Sequence, residues 1–585
     1  MSRVVGLTCS WWRWKGNWNW RAELSSSGNR SKQNGTHDQC LNPKHQSKLS
    51  TLSCVRPMNH LSLPGPHLSG STQDLLNFAE GFSTSASHSL LSSGYDEVPA
   101  TVNADSVAKL ITSVLKISNK TAVSGITVEN QVRKFCQAFE QLDSEESRLK
   151  IMEFLAQQDV KRKKISELAT AYSNTEDPLV RSRVEDQLRQ SLQPSYYWLF
   201  QKIGALPGGV KFLVDFRAQL ISFCLSNLEI ERTSALKSMS SQLKQLLSHW
   251  FSVGFLDLDQ ITWDSPCSML QKISDYEAVH PMRNWTDLKA RVGPYRRCFV
   301  YTHKSMPGEP IVVLHVALTE EIPESISKVV KHHRMVKKYS VDSHQSSGSK
   351  TGREGEDPSS CEAAIFYSIT STQTGLQGIE LGTQLIKQAV QKLKEELPDL
   401  NQFCTLSPIP GFRKWLLILL QTAKRDGKTL AQTDLLTIDE AEKWQGLIKM
   451  AGNLQESDLG LGTLIQLVKT NSWMEDQNLI AFLEQPLMRL CARYLYLEKR
   501  RSNALDSVAN FHLRNGAVLW RLNWEGDRSV RGLTNSCGIM VNYKYVLDDL
   551  EPNSTNYQEN HKVKASEQVI HLASQAKVLQ RKLSL

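Results

Sequence analysis

The sequence predicts an α and α+β protein, with an all-α helical bundle in the N-terminal part followed by an α+β domain that carries a helical insertion. Three observations support this. Apolar residues recur at helical spacing from about Asp105 to Trp263, β-rich runs replace them after Pro266, and a glycine-punctuated turn around Gly378 separates a strand-like run from a clean helical stripe. A chain of 585 residues has room for several domains. The expected division is 1–104 as leader and linker, 105–265 as a helical domain, and 266–585 as the α+β domain.

The elements follow in order. Met1 to about Thr72 is rich in Ser, Asn, Arg and Lys and poor in acids, and its tryptophan-dense run ending at Trp20 forms no helical face. That composition fits a cleaved organellar transit segment, and equally a stretch upstream of the true start codon. Ser83 to Ala104 stays Ser-rich and linker-like. Beyond it, Val107, Leu110, Ile111 and Leu115 share one helical face, as do Val132, Phe135 and Phe139. Asp143 and Glu146 read as a capping pair for a helix that turns Leu149, Ile151, Phe154 and Leu155 inward. Further helices are expected over Asp177–Leu192 and Asn227–Phe251.

After Pro266, Arg297–Thr302 and Pro310–Leu318 read as a hairpin joined through Pro307-Gly308. A hydrophilic Ser/Gly/Asp-rich insert follows, about Val341 to Glu362. Then come a strand over Ala364–Thr370, the glycine turn, and a helix whose Leu381, Leu385, Ile386, Val390, Leu393 and Leu397 form an inner stripe stopped by Pro398. A short strand runs to Ser407, a helix starts near Gly411, and Ala517–Trp524 reads as a late strand.

Composition narrows the function class. Hydrophobic content of 40% and charged content of 22% match a soluble globular chain, and no apolar run reaches the roughly 18 residues of a membrane span. The net charge of +9 is spread over helices and loops without one stripe of interleaved aromatics, which disfavours nucleic acid as partner. Eleven cysteines, with no Cys-x-x-Cys and no Cys/His spacing suited to zinc, argue for a reducing compartment and no metal site.

Two polar residues stand out in apolar or turn-forming surroundings. Ser407 lies in Cys404-Thr-Leu-Ser-Pro-Ile-Pro-Gly-Phe412, where two following prolines forbid a helix, so it reads as a strand-end residue. His512 lies in a short segment that ends at Asn515-Gly516, a pair able to take positive φ, and it too is expected at the edge of regular structure. His303, His315 and the pair His332-His333 show no ligand-like partners in sequence.

Those blocks, with Ile365-Phe-Tyr-Ser-Ile369 and Gly375-Leu-Gln-Gly-Ile-Glu-Leu-Gly-Thr383, closely resemble the malonyl-CoA decarboxylase family, from roughly Asp105 to near the C-terminus. The resemblance implies a GNAT-like catalytic domain, with strand, glycine turn, helix, strand, helix and terminal hairpin in that order and an extra helical insertion between Thr429 and Arg501. It implies that the turn Gln377-Gly378-Ile379-Glu380-Leu381-Gly382-Thr383 holds CoA phosphates at a helix N-terminus, where unpaired N–H groups favour anions. Glu380 stands where acyltransferases carry glycine, which argues against ordinary acetyl transfer.

The implied activity converts malonyl-CoA to acetyl-CoA and carbon dioxide and so sets the malonyl-CoA level in fatty acid metabolism. The reaction needs no cofactor, because the thioester carbonyl takes up the electrons. His512 is the implied proton donor, a role its ordinary pKa near 6.5 suits, and Ser407 is its hydrogen-bonding partner. Glu380 is expected to set the histidine's protonation or orientation, with Tyr545 and Ser368 as further candidates. Cys267 matches a cysteine that can link subunits, and a homo-oligomer, dimer or tetramer, is implied. The acid-poor leader points to the mitochondrial matrix, with cytosol and peroxisome as alternatives. The end Lys582-Leu-Ser-Leu585 is not the family's Ser-Lys-Leu peroxisomal address. Two rival readings stay open: a GNAT-type acyl-CoA N-acyltransferase, and a non-catalytic acyl-CoA sensor.

Overall fold

A computed structural model describes residues 103–118, 124–158, 160–226, 230–330, 358–450 and 460–582. The leader, most of the hydrophilic insert and the last three residues lie outside the described residues.

The N-terminal helices are α1 (Ala104–Ser118), α2 (Gly125–Glu140), α3 (Glu145–Ala156), α4 (Arg162–Asn174), α5 (Pro178–Ser191), α6 (Ser195–Gly204), α7 (Gly209–Leu225) and α8 (Ile230–Trp250). The expected stripes are the faces that pack: Val107, Ile111, Val132, Phe135, Phe139, Ile151 and Leu155 are buried. Phe135, Phe139, Phe200, Phe212 and Phe216 meet in a run of tilted and edge-on ring contacts at the centre. The cap of α3 is Ser144, not Asp143. Its hydroxyl accepts the Ser147 N–H at 3.1 Å, because the helix begins one residue later than the Asp143/Glu146 pair implies. Helices α4 and α5 differ from the rest in burying no residue.

The stretch read as wholly helical ends in a strand. β1 (Leu256–Ile261) pairs antiparallel with β2 (Arg296–His303), so the sheet begins before Pro266. Its alternation is too weak to announce a strand, with Leu256 and Ile261 buried around three polar residues. Next in the chain come α9 (Cys267–Tyr276) and α10 (Trp285–Arg291), which precede β2. β3 (Val312–Thr319), α11 (Ile326–Val330), β4 (Ala363–Ser371), α12 (Gly382–Glu396), β5 (Gln402–Thr405), β6 (Ser407–Pro408) and α13 (Phe412–Arg425) follow. The insertion supplies α14 (Ile438–Met450), α15 (Leu461–Thr470), α16 (Gln477–Ala492) and a small hairpin, β7 (Lys499–Arg500) with β8 (Asn503–Ala504). The chain closes with α17 (Ser507–Arg514), β9 (Val518–Asn523), α18 (Val530–Ser536), β10 (Met540–Tyr545), α19 (Leu550–Asn560) and α20 (Glu567–Lys582).

The sheet runs β1-β2-β3-β4-β5-β10-β6, with β9 on the other side of β10. Its one parallel pair, β4 with β5, determines where a cleft can form. Pairing runs from Ala363/Gln402 to Phe366/Thr405, and the Leu406 N–H still reaches the Phe366 carbonyl. The next residues are Ser407 and Pro408, and a proline has no N–H to continue the ladder. β4 stays with β3, the other strand goes with β10, and the two parallel strands splay apart. Helix α12 carries the predicted stripe, with Leu385, Ile386, Val390 and Leu393 buried against the sheet.

Candidate active site

The splay opens a pocket of about 180 Å³ lined by Ser368 and Ile369 from β4, Ser407 and Pro408 from β6, and Val508, Phe511 and His512 from α17. His512 stands at an edge of regular structure, and the element is a helix. It lies in the last turn of a short helix that Asp506 caps, accepting the Val508 and Ala509 N–H groups at 2.9 and 3.0 Å. The predicted turn ends that helix, with positive φ at Gly516 alone. A Cβ on Gly516 would lie 2.0 Å from the Leu550 carbonyl oxygen, so both shape and conformation require glycine there.

Three of the predicted residues meet. The His512 Nδ1 is 2.7 Å from the Tyr545 hydroxyl, and its Nε2 is 3.3 Å from Ser407 Oγ. Ser407 donates its own proton to Thr405 Oγ1 at 2.9 Å, and Thr405 also accepts the Tyr543 N–H at 3.1 Å. Because Ser407 gives its proton away, it is an acceptor toward the ring. The hydrogen-bond network therefore assigns the tautomer: Tyr545 donates to Nδ1, Nε2 carries the hydrogen, and Ser407 receives it. Residues alternate across a strand, so Tyr543 and Tyr545 share one face of β10. The Tyr543 ring stacks on the imidazole at 4.5 Å.

Burial pushes the His512 pKa down to about 3, so the ring is neutral at neutral pH rather than titrating near its ordinary 6.5. Burial also holds the Tyr545 phenol well above its usual range, which keeps it a donor. Asp506, fully enclosed, is pushed up to about 6 by burial against the N–H groups of Ala509, Val508 and Gly411 and the Tyr494 hydroxyl. Through Gly411 and α17 it ties the chain leaving Ser407 to the helix bearing His512.

Ser368 faces the same pocket but bonds elsewhere. Its hydroxyl lies 2.8 Å from Glu277 Oε2 and 3.1 Å from Oε1. A bulge in β4 between the pairs His315/Ser368 and Val316/Phe366 sets Ser368 opposite His315. His315, which shows no partner in sequence, comes within 3.4 Å of Glu277. Glu380 does not reach the imidazole. Its carboxylate is exposed and pairs with Arg514 at 2.7 Å, two residues beyond His512.

The glycine turn offers backbone. Ile379 and Leu381 bury their side chains, while Gln377, Gly378 and Glu380 are exposed ahead of the α12 N-terminus at Gly382 and Thr383. Gly378 takes φ +81°, and a Cβ on Gly382 would lie 2.7 Å from the Phe511 ring, beside His512. The turn is clamped from the helical region. Arg217 of α7 donates to the Gly375 carbonyl and, at 3.0 Å, to that of Gln377. Cys267 is an exposed free thiol at the start of α9. Among the described residues no cluster of His, Cys, Asp and Glu suits a metal, and no helix is long and apolar enough to cross a membrane.

Sequence reasoning missed Asp506, Thr405 and Glu277. An acid just before an apolar-periodic run, Asp506-Ser-Val508, is a readable cap signal. Nothing local marks Thr405 or Glu277, whose partners come from distant strands.

Comparisons with known proteins identify the family. Residues 254–583 match the family model for the malonyl-CoA decarboxylase C-terminal domain, and 159–251 match that for the N-terminal domain. The mitochondrial malonyl-CoA decarboxylase of Mus musculus is 47% identical over 394 residues, covering 67% of this chain and 74% of the relative. That of Anser anser anser is 46% identical over 393 residues, covering 67% and 72%. The crystal structure of malonyl-CoA decarboxylase from Rhodopseudomonas palustris superposes with a TM-score of 0.63 at 29% identity, covering 80% of this chain and 94% of that one. The structure from Agrobacterium vitis gives 0.63 at 28%, covering 80% and 99%. With both halves of the described fold matched in order, the chain belongs to the malonyl-CoA decarboxylase family.

Proposed function

We infer that this chain decarboxylates malonyl-CoA to acetyl-CoA and carbon dioxide, and we propose that His512 protonates the thioester enolate. The observation that supports this division of labour is the directional run from Tyr545 through His512 and Ser407 to Thr405, at the wall of a pocket in the strand splay.

When the carboxylate leaves as carbon dioxide, its electron pair passes into the thioester carbonyl. The barrier is therefore that of making an enolate, which donors aimed at the oxygen lower. A neutral His512 has Nε2–H directed to the pocket side, where Ser407 and substrate compete for it. A malonyl carboxylate in the pocket adds negative charge against the ring and raises its proton affinity, opposing the burial that otherwise keeps it neutral. Uptake of a solvent proton at Nδ1 makes the imidazolium, its Nε2 proton passes to the α-carbon, and the ring is left neutral with its hydrogen on Nδ1, from which it exchanges back to Nε2 before the next turnover. One proton enters for each carbon dioxide released. Ser407 suits orientation of the ring, accepting its Nε2–H, and not a nucleophile. Its proton goes to Thr405, and the ring nitrogen facing it carries a hydrogen, so no base is free to activate it.

The order of strand, glycine turn and helix supports a GNAT-like placement of CoA phosphates on the N–H groups that open α12, with Gly378 and Gly382 allowing close approach. Homo-oligomerisation, as dimer or tetramer, is supported by α4 and α5, which bury nothing within the chain while leaving Leu179 and Leu192 exposed. The exposed Cys267 is the proposed intersubunit disulfide partner. The relatives' names place them in mitochondria, and the matrix is the proposed compartment, with cytosol and peroxisome as alternatives.

The test is to incubate the purified chain with carboxyl-labelled malonyl-CoA and no amine acceptor. Labelled gas and acetyl-CoA are expected in equal amounts. Acyl transfer that requires an amine would favour an N-acyltransferase, and thioester binding without gas would favour a sensor.

A further inference from the structure

Beneath the pocket floor lies a polar cluster that the proposed chemistry does not use. Glu277, in the link after α9, is 5% exposed. Its Oε1 accepts the N–H groups of Val279 and His280 at 2.7 and 2.8 Å. Its Oε2 faces Ser368 Oγ at 2.8 Å, and His315 Nε2 approaches the same oxygen to 3.4 Å without hydrogen-bond geometry. Ser368 in turn lines the pocket across from Ser407 and His512.

A serine hydroxyl has one proton, and counting it exposes a switch. With Glu277 ionised, Ser368 gives that proton to the carboxylate and turns only lone pairs to the pocket, which repel a substrate carboxylate. With Glu277 protonated on Oε2, the acid donates to Ser368, and the serine proton is released toward the pocket. We propose that Glu277 is a positioning residue that sets the direction of the Ser368 hydroxyl, so that the pocket accepts a carboxylate-bearing thioester only while Glu277 carries a proton. The proposal rests on the decarboxylase reading of the pocket and adds the element that tells malonyl from acetyl thioester.

The groups packed around Glu277 leave it as the one that switches. Arg291 from α10 and Arg531 from α18 donate to nearby carbonyls, of His280 at 2.6 Å and of Val279 at 3.0 Å, and the charge of Arg291 favours the ionised acid. Burial opposes it and dominates, raising Glu277 above the usual carboxylate range. His280 on the same loop and His315 from β3 are pushed down to about 3 by burial and stay neutral. Tyr367 from β4, pushed up to about 12, and Cys298 from β2, also raised by burial, keep their protons.

The experiment uses the full chain carrying His512→Ala, which slows cleavage of malonyl-CoA and removes that imidazole's own titration. Calorimetry gives the dissociation constants of malonyl-CoA and acetyl-CoA across pH. Their ratio cancels the titration of the shared CoA phosphates. The preference for malonyl-CoA is expected to fall about tenfold per pH unit above the Glu277 pKa. Adding Glu277→Gln is expected to hold the preference high and flat, because the amide N–H donates to Ser368 at every pH while its oxygen still takes the two backbone N–H groups. Where that variant does not fold, Ser368→Ala on the same background carries the test, and a low, flat ratio is expected. A ratio already flat with Glu277 and Ser368 intact, or a slope that survives either substitution, overturns the proposal while acetyl-CoA still binds. Failure of both thioesters to bind at any pH overturns the reading of the pocket and the proposal with it.

Discussion

Asp506→Asn isolates the balance that holds the histidine-bearing helix in place. Two effects compete at this buried carboxyl. Burial favours its neutral form, and four donors, the N–H groups of Val508, Ala509 and Gly411 and the Tyr494 hydroxyl, favour its charge. Burial wins, taking the group from 3.8 to about 6. A folded-state pKa raised above the unfolded value means the native protein holds the proton more tightly. The associated stability is therefore complete below pH 3.8 and is lost as pH rises to about 6. At about 1.36 kcal/mol per unit, the loss is about 3 kcal/mol. Asparagine keeps an oxygen for the helix cap and cannot ionise, so it lacks this dependence. Chemical denaturation of both proteins across that range is expected to show wild type losing about 3 kcal/mol relative to Asp506→Asn as pH rises, then no further change. A constant difference would show that the donors offset burial, and one that grows in favour of wild type with rising pH that they outweigh it; either refutes the reasoning.

Three further outcomes follow from the same geometry. Tyr545→Phe removes the donor that fixes the His512 tautomer, a bond of about 1 kcal/mol, so turnover is expected to fall about fivefold to tenfold with the Michaelis constant nearly unchanged in steady-state kinetics. Gly378→Val forces a branched side chain to φ +81° beside Lys244, and it is expected to raise the Michaelis constant for malonyl-CoA; a defect in turnover alone would mean the turn does not hold CoA. Arg217→Met strips the donor from the Gly375 and Gln377 carbonyls, leaving the buried Gly375 acceptor unpaired at about 1–3 kcal/mol. A lowered melting temperature and a raised Michaelis constant are expected together, and a change in neither would deny the clamp a role.

Much of the fold could be read along the chain because local periodicity and packing agree. The α12 stripe from Leu381 to Leu393 and the β2/β3 hairpin are long, strongly patterned elements whose buried faces match their apolar positions. β1 was not readable, since a strand with a polar middle takes its stability from pairing with β2, a partner more than thirty residues on. His512 was singled out in sequence at an edge of regular structure, but its helix was not read. That helix is about two turns long, too short for a strong periodic signal, and the cap residue Asp506 is the mark that identifies it. Glu380 stands next to the turn in sequence, yet its direction is set by Arg514, a partner that sequence adjacency does not reveal. The Glu277 cluster joins residues from a loop, β3, β4 and α10, so no spacing rule brings it into view.

The central claim is that His512 supplies the proton that quenches the enolate. Its most direct test is turnover of malonyl-CoA by folded His512→Ala, with thioester affinity measured in parallel. Turnover reduced roughly 100-fold to 10,000-fold with affinity largely kept is the predicted result. Near-normal release of carbon dioxide from that protein would contradict it.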